Sequence, residues 1–398
     1  MIPVEFFVYL RTYNSPSWDF SAAPGKIQLC YKIIASTGPA QLKDKINISP
    51  RFRLLRYLAA CYALFIVYVS LTPFSGWQEQ GLYFINVLSA PLAQTFTWFD
   101  FTLNCLSYLP FGFLLAYMLR NRASFVQVLL LATLAGFLFS VSMEYLQMYL
   151  PRRISSNTDL ISNTTGAFFG AAIVLLIAQY GWFSRIRDLH NKWFKHGSMS
   201  DFGLALLAVW MFAQTNPSLP MLGSVFVSQV ARWPYDIVPQ APFNWLESAE
   251  VALNLLLLGI LLSTLLRERR NTISVLLLVL CVVTLIKFIG AAVLLKSWAL
   301  LLWLNTEALF GMIVGLMLLL AAMRLSYRWL SALGVLCALF YLLLLQDLLL
   351  DNKPSAALRL YHWHYIHMLN YNGLSQLVIL LFPVLLLGYL WRTAKLRK

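Results

Sequence analysis

Between Asp100 and Gly170, polar side chains recur at the ends of apolar runs: Asp100, Asn104, Ser140, Glu144, Gln147, Arg152, Arg153, Asp159 and Asn163. Ser140, Glu144 and Gln147 stand at helical spacing and share one face of a helix. Gly136 continues that face and leaves room for a neighbouring helix or a ligand. Arg153 follows closely enough to fold back over Glu144. Its planar fork of donors suits a carboxylate, phosphate or pyrophosphate. Asp159 reads as the N-cap of the next helix, its side-chain oxygen accepting orphan backbone N–H groups. Asn163 then faces inward beside Gly166 and Gly170, whose spacing permits close helix contact.

The chemistry these types offer is acid–base work at Glu144, the candidate catalytic residue, raised in basicity if buried and unpaired. Arg153, helped by Arg152, would hold an anionic group. Asn104, Gln147, Asp159 and Asn163 would complete the ligand-binding set. A plainer reading makes the same residues a network that pins three helix ends, with Glu144–Arg153 as its core. Pinning needs only a few polar groups, so the larger number favours a site that faces a ligand.

The elements that must position these residues are membrane helices. The chain has 398 residues, 60% hydrophobic and 12% charged, where a soluble domain is about 25% charged. Runs of about twenty apolar residues recur along it. The expected fold class is all-α, a polytopic transmembrane helix bundle of about ten spans, near 53–72, 101–119, 124–148, 160–180, 201–217, 249–266, 272–295, 298–322, 329–350 and 373–391. The alternation of an outer-membrane barrel is absent. Ionisable groups near a bilayer centre cost roughly 2.5–3.5 kcal/mol on insertion scales, so those that persist face protein or water.

Basic residues set the orientation. With the N-terminus in the cytosol, clusters at Arg51–Arg56, Arg120–Arg122, Arg185–Lys195, Arg267–Arg270, Arg324–Arg328 and Arg392–Lys398 fall inside. Fewer (Arg152, Arg153, Arg232, Lys296, Lys353, Arg359) fall outside. Both termini are then cytosolic, and three spans deliver their polar residues to one depth on the extracytoplasmic side. The net charge of +14 belongs to this pattern and not to nucleic-acid binding. Residues 75–98 read as an outer connection lying in the interface.

Four segments are expected: a flexible cytosolic tail over 1–50, a four-helix membrane domain over 51–181, a degenerate second repeat over 182–322 that includes a basic interfacial helix, and two C-terminal spans over 323–398. The tail is rich in proline and has no signal-peptide order, and the lack of Met between Met1 and Met118 admits a start nearer Arg51. A parallel internal repeat is suggested by Asp100/Asn104 against Glu250/Asn254 and by Gly166/Gly170 against Gly311/Gly315. Chance likeness among apolar helices is the competing explanation. The second copy carries no counterpart of Glu144, Gln147, Arg153 or Asp159.

The pattern Asp100-x-x-x-Asn104, Leu109-Pro110-Phe111-Gly112-Phe113, Ser142-x-Glu144-x-x-Gln147, Arg153, Asp159-x-x-x-Asn163-x-x-Gly166-x-x-x-Gly170, preceded by Thr72-Pro73-Phe74, resembles the VanZ-like family of membrane proteins. The resemblance covers roughly 55–180. It implies a bacterial inner-membrane protein with a link to lipid-bearing glycopeptide resistance or to envelope and exopolysaccharide functions, and it supplies no reaction. Carried over by position, the family-like residues are Asn104, Glu144, Gln147, Arg153, Asp159 and Asn163. Arg152, where relatives often have a small residue, and the six later spans depart from the family unit.

Lys287 and Glu307 fall at similar depth in their spans and are expected to form an intramembrane ion pair, which Glu250 could share. His362, His364 and His367 sit in an aromatic-rich stretch with no carboxylate or Cys to complete a metal set, so an interfacial belt is expected there and no metal. Trp182 to Met199 reads as a basic helix attracted by anionic lipid. The cysteines read as small buried hydrophobes. No Walker loop, dinucleotide glycine set or nucleophile elbow is present, and no cofactor is expected. The expected function is binding or modifying a lipid-linked or glycan-type component at the outer leaflet, with membrane lipid and envelope-assembly proteins as partners. A transporter or channel, and a non-catalytic scaffold of a polysaccharide assembly, are the alternatives.

Overall fold

The computed structural model describes residues 50–395 apart from 82, 92–97, 152, 226–242, 350–353 and 363–365. The expected tail up to residue 49, Arg152 and His364 lie outside the described residues. Residues Pro50–Lys398 make one compact unit.

Among the described residues the fold is helical throughout. The α-helices are α1 (Pro50–Leu71), α2 (Phe84–Ser89), α3 (Trp98–Leu119), α4 (Phe125–Gln147), α5 (Asn157–Gln179), α6 (Trp182–Trp193), α7 (Ser198–Gln214), α8 (Trp245–Leu265), α9 (Thr272–Leu294), α10 (Thr306–Ala322), α11 (Tyr327–Leu349) and α12 (Ile366–Lys395). Eight of them (α1, α3, α4, α5, α8, α9, α11 and α12) are long and apolar enough to cross a membrane. The other two expected spans, α7 and α10, are apolar helices of 17 residues, about 25 Å at the α-helical rise.

Helix α7 keeps the length expected for it but lies slightly earlier than 201–217, whereas α10 is shorter than the expected 298–322; both outcomes have local causes. Pro217 lies just past α7, whose C-cap is Thr215. Asn305 caps α10 by accepting from the Ala308 N–H at 2.8 Å. That cap replaces the expected start near 298 with a 3-10 turn at Ser297–Ala299. Elsewhere the capping chemistry is regular: Ser124 and Gln127 form a capping box on α4, and Asn244 accepts from the N–H groups of Leu246 and Glu247 on α8.

Small residues let the helices approach. A Cβ on Gly166 would strike the Cys105 backbone, and one on Gly170 would strike Leu109 and Phe113, so α5 lies tight along α3. The second half repeats this device, with Gly311 against Ser248 and Val251 and Gly315 against Ala252, which packs α10 along α8. Without a hydrophobic force between helices in lipid, close van der Waals contact of this kind drives association. The register differs from the sequence expectation. Ser248 faces Gly311 as Cys105 faces Gly166, so Glu247, not Asn254, stands where Asn104 stands.

Helix α8 is buried along most of its length and forms the centre of the bundle, in contact with α10, α11 and α9. Helix α12 packs against α7 and α11 and reaches α1. Helix α1 is joined to α7 by Arg53 Nε to Asp201 Oδ2 at 3.4 Å and by stacked Phe65 and Phe212 rings 4.7 Å apart. The outward face carries exposed Leu64, Leu130, Leu278 and Leu336, as a lipid-facing surface requires. Helix α2 buries none of its residues, and α6 exposes Trp182, Ile186 and Leu189. The described cysteines Cys61, Cys105, Cys281 and Cys337 are free thiols.

Candidate functional site

Helices α1 and α4 end where α3 and α5 begin, so their polar ends meet at one end of the bundle. The short loop between α4 and α5 is folded by Glu144. Its Oε2 accepts the Ser156 N–H at 2.9 Å and the Ser155 hydroxyl at 3.0 Å, and the residue is only 4% exposed. Charge-assisted bonds of this type are among the stronger ones a loop can make. They place Ser156 as the cap of α5, accepting from the Thr158 N–H at 3.1 Å. The expected cap, Asp159, sits instead in the first turn and turns inward, where its Oδ1 accepts from Asn104 Nδ2 at 2.7 Å. One turn deeper, Asn163 donates to Ser140 Oγ at 3.0 Å.

Arg153 does not pair with Glu144. Its Nη2 donates to the Val69 and Thr72 carbonyls, at 2.5 and 3.2 Å. Gln147 donates to the Ser70 carbonyl at 3.1 Å, and Asn370 of α12 also reaches the Val69 carbonyl, at 3.0 Å. Three side chains thus cover the carbonyl end of α1, whose last C=O groups have no partner within the helix. Burial lowers the pKa of Arg153, and Glu144 and Asp159 act on it through space in the opposite sense. Its Nε is buried with no hydrogen-bond partner.

These groups surround a cavity of about 960 Å³. Asp100, Asn104, Glu144, Gln147, Arg153, Asp159 and Asn163 all line it. The remaining members of the sequence-derived cluster differ: Ser140 stands behind Asn163, and Arg152 lies outside the described residues. The other wall is apolar and was not foreseen. It is made by Phe65, Ile66 and Leu103 together with Phe212 of α7, Leu294 of α9, and Met368, Tyr371 and Leu374 of α12. All three of those later helices contribute from the same end of the bundle as the polar cluster. Asn86 and Ala90 close the rim from α2 and its flank, with Asn157 Nδ2 bonded to the Ala90 carbonyl at 2.6 Å.

The second half has its own buried polar groups, and the expected Lys287–Glu307 ion pair is not formed. Because α10 starts at Thr306, Glu307 lies in its first turn, bonded to Thr306 Oγ1 at 2.8 Å and to the Asn244 N–H at 3.4 Å. Lys287 lies deeper and donates to the Gln214 and Pro220 carbonyls, both at 3.1 Å. Glu250 is not shared with it, since its partners are the Ser224 N–H and the Tyr341 hydroxyl. Lys287 therefore does for the carbonyl end of α7 what Arg153 does for α1. The segment after α7, residues 216–225, has no helix and is wholly buried, which an irregular backbone at membrane depth requires. Among the described residues no three His, Cys, Asp or Glu side chains gather as a metal site.

Residues 53–178 match the family described as VanZ/LLP1. That stretch runs from α1 to the end of α5 and holds every polar residue named for the cavity. The protein is VanZ-like and polytopic, with the matching domain set inside a larger helical bundle. No curated protein and no solved structure matches the chain.

Proposed function

We propose that this VanZ-like protein receives a lipid-linked or glycan-type envelope component in the cavity at the ends of α1, α3, α4 and α5, at the outer leaflet of a bacterial cytoplasmic membrane. The observation that carries the reading is the mixed lining of the cavity. Hydroxyls, amides and carboxylates from the VanZ-like domain share the lining of a cavity of about 960 Å³ with apolar side chains from the same domain and from α7, α9 and α12. Ligand sites commonly combine an apolar lining with a few convergent polar groups, and this combination suits a polar head joined to a hydrocarbon chain. The sidedness rests on charge. Arg120 and Arg122 after α3, Arg185 and Arg187 within α6, Arg267 and Arg270 after α8, Arg324 and Arg328 between α10 and the first turn of α11, and Arg392 in the last turn of α12 lie at the ends of these helices away from the residues that line the cavity, and such clusters stay cytosolic.

Within this reading Asp159, Asn104 and Asn163 contact the head, and Gln147 and Arg153 shape the rim. Glu144 fixes the loop and presents its second oxygen to the ligand, the position from which it would serve a reaction. The transporter alternative drew on the parallel repeat and on a Lys287–Glu307 pair: the glycine packing of α10 on α8 repeats that of α5 on α3, but the pair is not formed. The test is mass spectrometry of the full chain, gently extracted. An amphiphile should co-purify with the protein and be lost in Ser107→Trp, which fills the cavity from α3, with elution unchanged. Equal retention by the filled variant would remove the cavity from the account.

A further inference from the structure

At the end of the VanZ-like domain opposite the large cavity, we infer a second site, which holds the phosphate of an anionic phospholipid in the adjacent leaflet. The loop after α3 and the start of α6 enclose a separate cavity of about 470 Å³. Arg120, Arg187, Asn121, Gln179 and Ser184 supply its polar lining, and among the described residues no carboxylate lines it. This site lies outside the function proposed above and does not depend on it.

Arg120 is held in place and left without an acceptor. Its guanidinium carbon lies 4.3 Å from the centroid of the Tyr117 ring and 4.2 Å from that of Phe183. Phe183 is itself buried in a small core with Ala116, Val128 and Leu175, which fixes the ring on which the cation rests. Aromatic faces attract a guanidinium and leave its in-plane N–H donors for another acceptor. The Nε of Arg120 is buried with no hydrogen-bond partner, and the ion pairs of the described residues do not include it. An unmet buried donor on a charged group is costly, and an acceptor that enters the cavity removes the cost.

Arg187 follows Phe183 by one helical turn and brings a second guanidinium to the same cavity. Its Nε is 3.8 Å from Asp188 Oδ1, but both side chains are exposed, and a pair of that kind contributes little. Two guanidinium groups with planar forked donors suit a phosphate. The apolar lining favours a lipid as its source. Phe125 and Val128 belong to α4 and Leu175 and Ala178 to α5, both long and apolar enough to cross a membrane, and Phe125, Leu176 and Trp182 are exposed beside them. A phosphate seated on Arg120 therefore has apolar surface next to it for acyl chains, which a soluble anion would leave unused. Basic pockets between membrane helices take up anionic head groups, whereas a zwitterionic head brings a cation of its own towards two arginines.

The full chain would be placed in phosphatidylcholine nanodiscs with a trace of photoreactive phosphatidylglycerol or of photoreactive phosphatidylcholine carrying the same chains. Phosphatidylglycerol should label the segments around Val128 and Leu175 about tenfold above phosphatidylcholine, the factor that 1.4 kcal/mol makes in an equilibrium constant. Arg120→Gln should abolish that preference and Arg187→Gln should reduce it, while Arg120→Lys, which keeps the charge without the fork, should retain part of it. Arg187 is exposed, so its variant tests the site even where Arg120→Gln fails to fold. Equal labelling by the two lipids, or phosphatidylglycerol labelling that neither Gln variant lowers in monodisperse protein, overturns the site. Loss of the labelling in excess inorganic phosphate at constant ionic strength overturns it too, by assigning the arginines to a soluble anion.

Discussion

At Glu144 one carboxylate oxygen takes two donors, and this explains why an acid is kept near the end of an apolar helix. Glu144→Ala leaves the Ser156 N–H without its acceptor, while the Ser155 hydroxyl keeps the backbone carbonyl of residue 144 at 2.9 Å, and should cost about 1.5–3 kcal/mol, the range for hydrogen bonds to charged groups. Glu144→Gln keeps an acceptor oxygen in place and should recover most of that loss, as measured by thermal unfolding in a mild detergent. Equal losses in the two variants would show that charge, and not acceptor geometry, holds the loop. Arg153 obeys a second rule, that the last carbonyls of a helix need donors. Arg153→Leu should expose the end of α1 to proteolysis near Thr72, whereas Arg153→Lys should protect it in part; identical cleavage in wild type and Arg153→Leu would contradict the capping role. The sequence showed which polar residues converge, because lipid excludes them and their helical spacing is countable. It did not show their partners. Glu144 and Arg153 look complementary on paper, yet each has a nearer backbone group to satisfy, and backbone donors and acceptors carry no mark in a sequence.

At the scale of elements, helix contacts decide where the cavity can exist. Helix α5 sits against α3 at Gly166 and Gly170, which sets Asn104 beside Asp159. Gly166→Leu or Gly170→Leu should prevent recovery of monodisperse protein after extraction, while Gly388→Ala, whose added methyl meets nothing within 4 Å, should stay within about 0.5 kcal/mol of wild type. Normal recovery of the Leu variants would contradict the close packing. All ten expected spans have a helix near their place, since the length of an apolar run is a strong signal, but two of those helices are short. Asn305 was the missed sign: a capping residue inside an apolar stretch restarts the helix and moves Glu307 to a different depth from Lys287. The repeat register was missed for a related reason. A shift of seven residues is two helical turns, so Asn254 and Glu247 fall on the same face, and only the packing of Gly311 on Ser248 separates them. The apolar wall from α12 was not legible at all, because Met368 and Leu374 have the same character whether they meet lipid or a cavity.

For the molecule as a whole, the family-like domain supplies the polar lining of the cavity, and apolar side chains of that domain and of the helices after it complete the lining. In the orientation proposed from the basic clusters, this site opens on the extracytoplasmic face. With all five cysteines, Cys30, Cys61, Cys105, Cys281 and Cys337, replaced by serine or alanine, Ser107→Cys should react with an impermeant thiol reagent added outside intact cells, and Asn121→Cys should react only after the membrane is opened. Labelling of both from the same side would overturn the orientation. The most direct measurement of the central claim is an electron cryo-microscopy map of the full chain in nanodiscs made from its native membrane. The account requires elongated density with a compact end at Asp159 and Asn104 and a tail along Met368 and Leu374. A map in which those two walls touch each other, or in which the space between them holds only isolated water-sized features, would contradict it.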